Sequence, residues 1–120
     1  IIKDNFQDYD LTIETSSVNA VDLMQKEKFD IFIIDFQMPR LNGIELLKEI
    51  KREYTSRQYI AILCTAYGTI HLFKHELVQG LFTYYLEKPF EIDSLKRVVM
   101  KAVNTLEKIR TGERQPAPIS

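Results

Sequence analysis

The chain has 120 residues, 45% of them hydrophobic, and its 17 acidic and 16 basic side chains leave a net charge of −1. That length and apolar content fit one globular domain with its own core, and the near-balanced charge supplies no general attraction to nucleic acid or to an anionic membrane. No run approaches the roughly eighteen apolar residues of a membrane-crossing helix, the opening residues show no signal-peptide pattern, and the single cysteine, Cys64, cannot form an internal disulfide, which fits core packing and a cytoplasmic, reducing compartment.

Strand and helix signals then alternate. Ile1 to Phe6 reads as the later part of a helix and Leu11-Thr12-Ile13-Glu14 as a strand. Ser16 or Ser17 suits the cap of a helix running to about Lys26, with Ala20, Val21, Leu23 and Met24 as its buried stripe. Phe29 leads into Ile31-Phe32-Ile33-Ile34, an unbroken apolar run that predicts a strand buried on both faces and ending at Asp35. After a loop to Asn42, Gly43 begins a helix in which Ile44, Leu47 and Ile50 recur at helical spacing. Glu45, Lys48, Glu49 and Lys51 are expected to face water, and Gln58 with the polar residues before it marks the exit.

A second apolar run, Tyr59 to Ala66, contains Cys64 and Thr65. Gly68 to Val78 has a helical pattern with a broad apolar surface, a candidate interaction face, and Gly80 suits its terminus. His71 and His75 share metal-ligand spacing on that helix, but no second cysteine or acid pair completes a zinc set, so a surface pair is the reading. Phe82 to Phe90 holds the next strand, ending at Lys88. The last helix begins near Asp93 or Ser94 and carries Leu95, Val98, Val99, Ala102, Val103, Leu106 and Ile109 at intervals of three and four. The division expected is a domain over 1–109 and a linker or disordered tail over 110–120, where Gly112, Pro116 and Pro118 lie. Such alternation predicts a parallel sheet covered by helices on both faces.

Three apolar runs thus end in a carboxylate, a hydroxyl and an amine. If the strands lie parallel and adjacent, Asp35, Thr65 and Lys88 converge at the rim where open α/β sheets bind ligands. That trio suits a phosphoryl group carried on the carboxylate: Thr65 donates to one oxygen, and the compact charge of Lys88 neutralises another.

At these residues the sequence resembles the receiver domain of two-component response regulators, from Ile1 to about Ile109. Asp35-Phe36-Gln37-Met38-Pro39-Arg40-Leu41-Asn42-Gly43 matches that family's Asp-x-x-Met-Pro-x-x-x-Gly loop, and Thr65 and Lys88-Pro89 follow in the family's order. The resemblance implies a flavodoxin-like doubly wound α/β sheet with strand order 2-1-3-4-5. It implies that Asp35 takes phosphate from a histidine kinase or phosphotransfer protein, that Thr65 and Lys88 contact the phosphoryl group, and that the Lys-Pro bond is cis. Mg²⁺ would be held by Asp35, the backbone carbonyl of Gln37, water and an acidic pair on the family's first strand. Gln37 and Tyr67, two residues beyond Asp35 and Thr65, stand where the family varies residues that modulate dephosphorylation. Tyr85 stands at the aromatic switch position, filling the space Thr65 vacates when phosphate draws it inward, while Phe82, Tyr84 and Phe90 read as core or flanking rings. The signalling surface would comprise the His71–Val78 helix, the family's fifth strand and the last helix.

The chain departs from the family at its start, where neither the first strand nor its acidic pair is found; Asp4 and Asp8 read as solvated surface charge. The expectation is that about fifteen residues precede Ile1, since without them the sheet would carry an unpaired apolar edge that recruits another strand or aggregates. The leading function is a phosphoacceptor module controlling an attached output domain or a homodimer. It is a regulatory domain rather than an enzyme, with Mg-dependent self-phosphorylation and self-dephosphorylation if the acidic strand is supplied, and with no direct contact to nucleic acid or membrane. The alternative is a receiver-like interaction module independent of phosphate. A phosphatase of the haloacid dehalogenase type ranks last, because Asp35-Phe36-Gln37 lacks its Asp-x-Asp.

Overall fold

Seven uncharged residues, Ile60–Ala66, form β2, the middle strand of a parallel sheet in which every residue but the last is buried. The computed structural model describes residues 17–26, 29–37, 42–54 and 58–111. Within them the chain runs α1 (Ser17–Lys26), β1 (Ile31–Asp35), α2 (Gly43–Glu53), β2, a 3₁₀ turn (Ile70–Phe73), α3 (Lys74–Val78), β3 (Tyr84–Lys88) and α4 (Ile92–Arg110). The expected helix at Ile1–Phe6, the strand at Leu11–Glu14, Asp4 and Asp8, and the tail from Gly112 lie outside the described residues, as do the cap candidate Ser16 and the segment from Met38 to Leu41.

The sheet order among the described residues is β1-β2-β3, both pairings parallel, which is what the order 2-1-3-4-5 assigns to its last three strands. Alternation along β2 splits the core in two. Ala61 and Leu63 join Phe32 and Ile34 beneath α1, α2 and the 3₁₀ turn, with Met24, Leu46, Leu47, Ile50 and Phe73. Ile60, Ile62 and Cys64 face the other way, under Leu95, Val99, Ala102 and Leu106 of α4. Helices therefore cover both faces, as the alternating pattern predicts.

β1 departs from the expectation of burial on both faces. Phe32 and Ile34 are buried, but Ile33 is 38% exposed. The cause is position: α4 packs chiefly over β3 and β2, and β1 is the outer strand among the described residues. In α2 the expected stripe gains Leu46, which is fully buried, while Ile44 is only half-buried. Asn42 caps this helix, its side chain accepting from the Glu45 N–H at 2.9 Å. Leu23 in α1 is half-buried beside buried Met24.

The stretch expected to form one helix over Gly68–Val78 is instead a 3₁₀ turn followed by a five-residue helix. Inward-packed Phe73 sits at the junction with non-helical φ −110° and ψ 20°, which breaks the run. α3 ends in a Schellman arrangement: Gly80 at φ +78° donates to the Leu77 carbonyl and Leu81 donates to that of Glu76. α4 begins at Ile92, just ahead of the expected start, and buries Leu95, Val99, Ala102 and Leu106. Each large aliphatic side chain so buried contributes about 1.5–3 kcal/mol. It also buries Thr105, a polar residue absent from the expected stripe, whose hydroxyl lies 2.7 Å from the Tyr84 hydroxyl.

Candidate functional site

The carboxyl ends of the three strands open into a cleft of about 910 Å³ whose lining includes Asp35, Thr65, Thr69, Lys88 and Phe90. Strand register sets the heights of the groups. Asp35 lies opposite Cys64, Cys64 opposite Leu86, Thr65 opposite Glu87 and Ala66 opposite Lys88. Asp35 ends β1, and its carboxylate is held on both oxygens: Oδ1 accepts from the Gln37 N–H at 3.0 Å, and Oδ2 pairs with the Lys88 ammonium. Both side chains are about two-fifths exposed, at 41% and 43%, so the pair stays open to an incoming group.

Thr65 is 3% exposed and lines the same cleft, with its hydroxyl 2.8 Å from that of Thr69. Tyr85 lies opposite Leu63, two register pairs below Thr65, and packs half-buried against the core that holds Leu63 and Phe73. Phe82 and Tyr84 are buried and Phe90 packs at the edge of the α4 core. The Lys88-Pro89 bond is cis. Gln37 is exposed, and Tyr67 is 81% exposed with its N–H donating to the Lys88 carbonyl at 3.1 Å. His71 and His75 are both exposed.

Two positions shape the cleft without having been singled out for it. Glu87 faces Thr65 across the ladder and accepts from the Gly68 N–H at 2.6 Å, fixing the turn after β2. Gly43 was expected to begin a helix and to close the Asp-x-x-Met-Pro-x-x-x-Gly loop, with no steric role assigned to it. A side-chain carbon there would stand 2.6 Å from the Asp35 carbonyl oxygen and 2.7 Å from the Phe36 Cα, while its N–H donates to the Phe36 carbonyl at 2.7 Å. The Asp-to-Gly spacing in the sequence therefore has a steric cause: α2 begins against the backbone that presents Asp35.

Burial, aided by the neighbouring Asp35 carboxylate and opposed by Lys88, pushes the Cys64 thiol up to about 11. Cys64 is thus a protonated core residue, in keeping with the expectation of packing. A hard divalent cation takes oxygen ligands, commonly one or two carboxylates completed by water and phosphate oxygens. Asp35 offers one such carboxylate, and among the described residues no three His, Cys, Asp or Glu side chains gather into a further metal set. No described helix is long and apolar enough to cross a membrane.

Comparison with known proteins agrees with this fold. The family model described as the response regulator receiver domain matches residues 1–100. Sporulation initiation phosphotransferase F of Bacillus subtilis (strain 168) is 30% identical over 97 residues, 81% of this chain and 76% of that protein. Response regulator SaeR of Staphylococcus aureus (strain USA300) is 28% identical over 114 residues, 92% of this chain and 46% of SaeR, so the chain spans about half the length of that relative. Among solved structures, the receiver domain of sensor histidine kinase PA1611 from Pseudomonas aeruginosa PAO1, which has magnesium coordinated in its active site cleft, superposes with a TM-score of 0.71. It is 22% identical and covers 86% of this chain and 83% of that one. The fold is accordingly the flavodoxin-like α/β sheet, with three of its strands among the described residues. The chain belongs to the response regulator receiver domain family, the phosphoacceptor module of two-component signal transduction, a regulatory domain rather than a conventional enzyme.

Proposed function

We propose that Asp35 is the phosphoacceptor, taking a phosphoryl group from a phosphohistidine of a sensor kinase or phosphotransfer protein. The observation that carries this reading is the Lys88 ammonium on the Asp35 carboxylate at the open end of a parallel sheet. In the reaction an Asp35 oxygen forms a P–O bond, the donor's P–N bond breaks, and the electron pair stays on the imidazole nitrogen. Positioning and charge neutralisation are the contributions such a site makes. Lys88 neutralises charge on the transferred group, and Thr65 donates its hydroxyl proton to a phosphoryl oxygen. Mg²⁺ would be held by Asp35, the Gln37 carbonyl, water and an acidic pair on the family's first strand, and would supply further neutralisation of the phosphoryl oxygens. Gln37 lines the cleft and Tyr67 follows the lining residue Ala66, and their exposed side chains screen the approach of hydrolytic water.

Once Thr65 moves toward the phosphoryl group, Tyr85 fills the space it leaves, a two-state repacking biased by local charge. The change is read out on the 3₁₀ turn, α3, β3 and α4, where Leu72 and Val78 are exposed, by an output domain in a longer chain or by a second copy. The sequence's net charge of −1 argues against direct nucleic-acid binding by this segment.

Intact-mass measurement after incubation with a small phosphodonor and Mg²⁺ tests the acceptor. One phosphoryl group is expected on the wild-type chain and none on Asp35→Asn. An unmodified, folded wild type, also unmodified when extended at its N-terminus, would favour an interaction module that works without phosphate.

A further inference from the structure

Thr69 lies just beyond the trio and makes two contacts through one oxygen. Its Oγ1 is 2.6 Å from the Ala66 carbonyl oxygen and 2.8 Å from Thr65 Oγ1. A carbonyl oxygen can only accept, and a hydroxyl carries a single proton. Thr69 therefore spends its proton on Ala66 and meets Thr65 with a lone pair, so Thr65 must be the donor between them. Backbone bonds hold that acceptor in place: the Thr69 N–H donates to the Ala66 carbonyl at 3.1 Å, and the Thr69 carbonyl accepts from Leu72 at 2.9 Å.

A phosphoryl oxygen on Asp35 would also require Thr65 to donate. Thr65 is 3% exposed and has one proton, which can serve Thr69 or the phosphoryl group but not both. We propose that Thr69 is a positioning residue that latches the Thr65 hydroxyl in the unphosphorylated protein, so that the phosphoryl group has to win this proton from Thr69. The inference rests on Asp35 being the acceptor and Thr65 its hydroxyl donor. When Thr65 leaves, Thr69 keeps its bond to Ala66, and its freed lone pair faces the cleft that both threonines line, where water replaces the lost donor. The latch thus sets how strongly the resting state resists phosphorylation without touching the phosphoryl group itself.

Thr69→Val keeps the branched shape and removes the acceptor, while Thr69→Ser keeps it. Affinity for beryllofluoride with Mg²⁺, a mimic of the phosphoryl group, is measured on the full chain by titration. Thr69→Val is expected to bind about fivefold tighter, the factor that one net hydrogen bond represents, and Thr69→Ser is expected to match wild type. In a Thr65→Val background the same change at Thr69 should have no effect, because no proton remains to compete for. Scalar couplings about the Thr65 Cα–Cβ bond should report one rotamer in wild type and averaging in Thr69→Val, with amide dispersion certifying the fold; Thr69→Ala substitutes if the valine variant is unfolded. Equal or weaker binding by a folded Thr69→Val, or an unchanged Thr65 rotamer, overturns the latch. Failure of wild type to bind beryllofluoride even when extended at its N-terminus, or binding that survives Asp35→Asn, strikes the phosphoacceptor reading instead and the latch with it.

Discussion

The two ends of the sheet are held together by different physics. At the amino ends of the strands, Phe32 meets Phe29, Tyr54 and Tyr59 edge to face at centroid separations of 5.9, 5.3 and 5.7 Å, and Tyr54 meets Tyr59 at 5.6 Å. The Tyr54 hydroxyl accepts from the Phe29 N–H at 3.1 Å, and burial pushes the Tyr59 phenol above its ordinary range. At the carboxyl ends one ring pair remains, Phe36 with Phe73 at 4.9 Å, and the other contacts are polar and exchangeable: Asp35 with Lys88, Thr65 with Thr69, Glu87 with the Gly68 N–H. Aromatic packing gives way only at a large cost, whereas a half-exposed ion pair contributes little to stability. The chain thus concentrates stability where nothing has to move and keeps contacts that can be traded where a charged group arrives.

The sharpest test removes the centre of the aromatic end. Phe32→Ala should lower the unfolding free energy by about 3–5 kcal/mol, the range for a buried aromatic truncated in a core. Phosphate uptake per folded molecule should be unchanged, and denaturant unfolding together with intact mass checks both halves. A loss of uptake in the folded fraction would mean that the two ends are mechanically coupled.

Gly43→Ala tests whether the polar end also has a rigid element. The added carbon would meet backbone at 2.6 and 2.7 Å, so a loss of about 1–3 kcal/mol is expected from overpacking, together with slower phosphorylation as the Asp35 backbone shifts. Unaltered stability would show that α2 can slide away from β1.

The smallest effect concerns Cys64. Its thiol rises from 9.0 to about 11 in the folded chain, so between those values the folded state keeps a proton that the unfolded chain releases. Stability from this group is fully present below pH 9, and it falls as pH climbs toward 11. Cys64→Ala should flatten the wild-type slope in that window by up to one proton, measured as the difference between the two proteins' unfolding free energies against pH. Parallel curves would mean that the thiolate finds water in the folded state.

The strands and the trio were legible because each apolar run is terminated by the polar residue that matters, so the pattern that marks a buried strand also marks its functional end. Asp35, Thr65 and Lys88 all stand there in the fold. What escaped reading depends on contacts between distant residues or on sterics. Glu87 reaches the Gly68 N–H across 19 positions, and nothing in its local sequence separates it from an ordinary surface acid. Thr105 is a polar residue within an apolar helical pattern, and Tyr84 supplies the distant partner that makes its burial tolerable. Thr69 carried a faint signal, a second hydroxyl four residues after the first, but its value lies in proton direction, which spacing does not encode. The exposure of Ile33 follows from which strands α4 covers, a property of assembly rather than of the run itself.

The strand ladder also acts as a ruler. Lys88 stands two strands away from Asp35 and two residues farther along the sheet, which at ordinary strand spacing and rise separates their Cα atoms by roughly 11–12 Å. A carboxylate on its short stem and an ammonium on its long one close that gap only when both are nearly extended. The demand at position 88 is therefore one of reach as much as of charge: the backbone lattice selects a four-carbon stem before any chemistry is asked of the amine it carries.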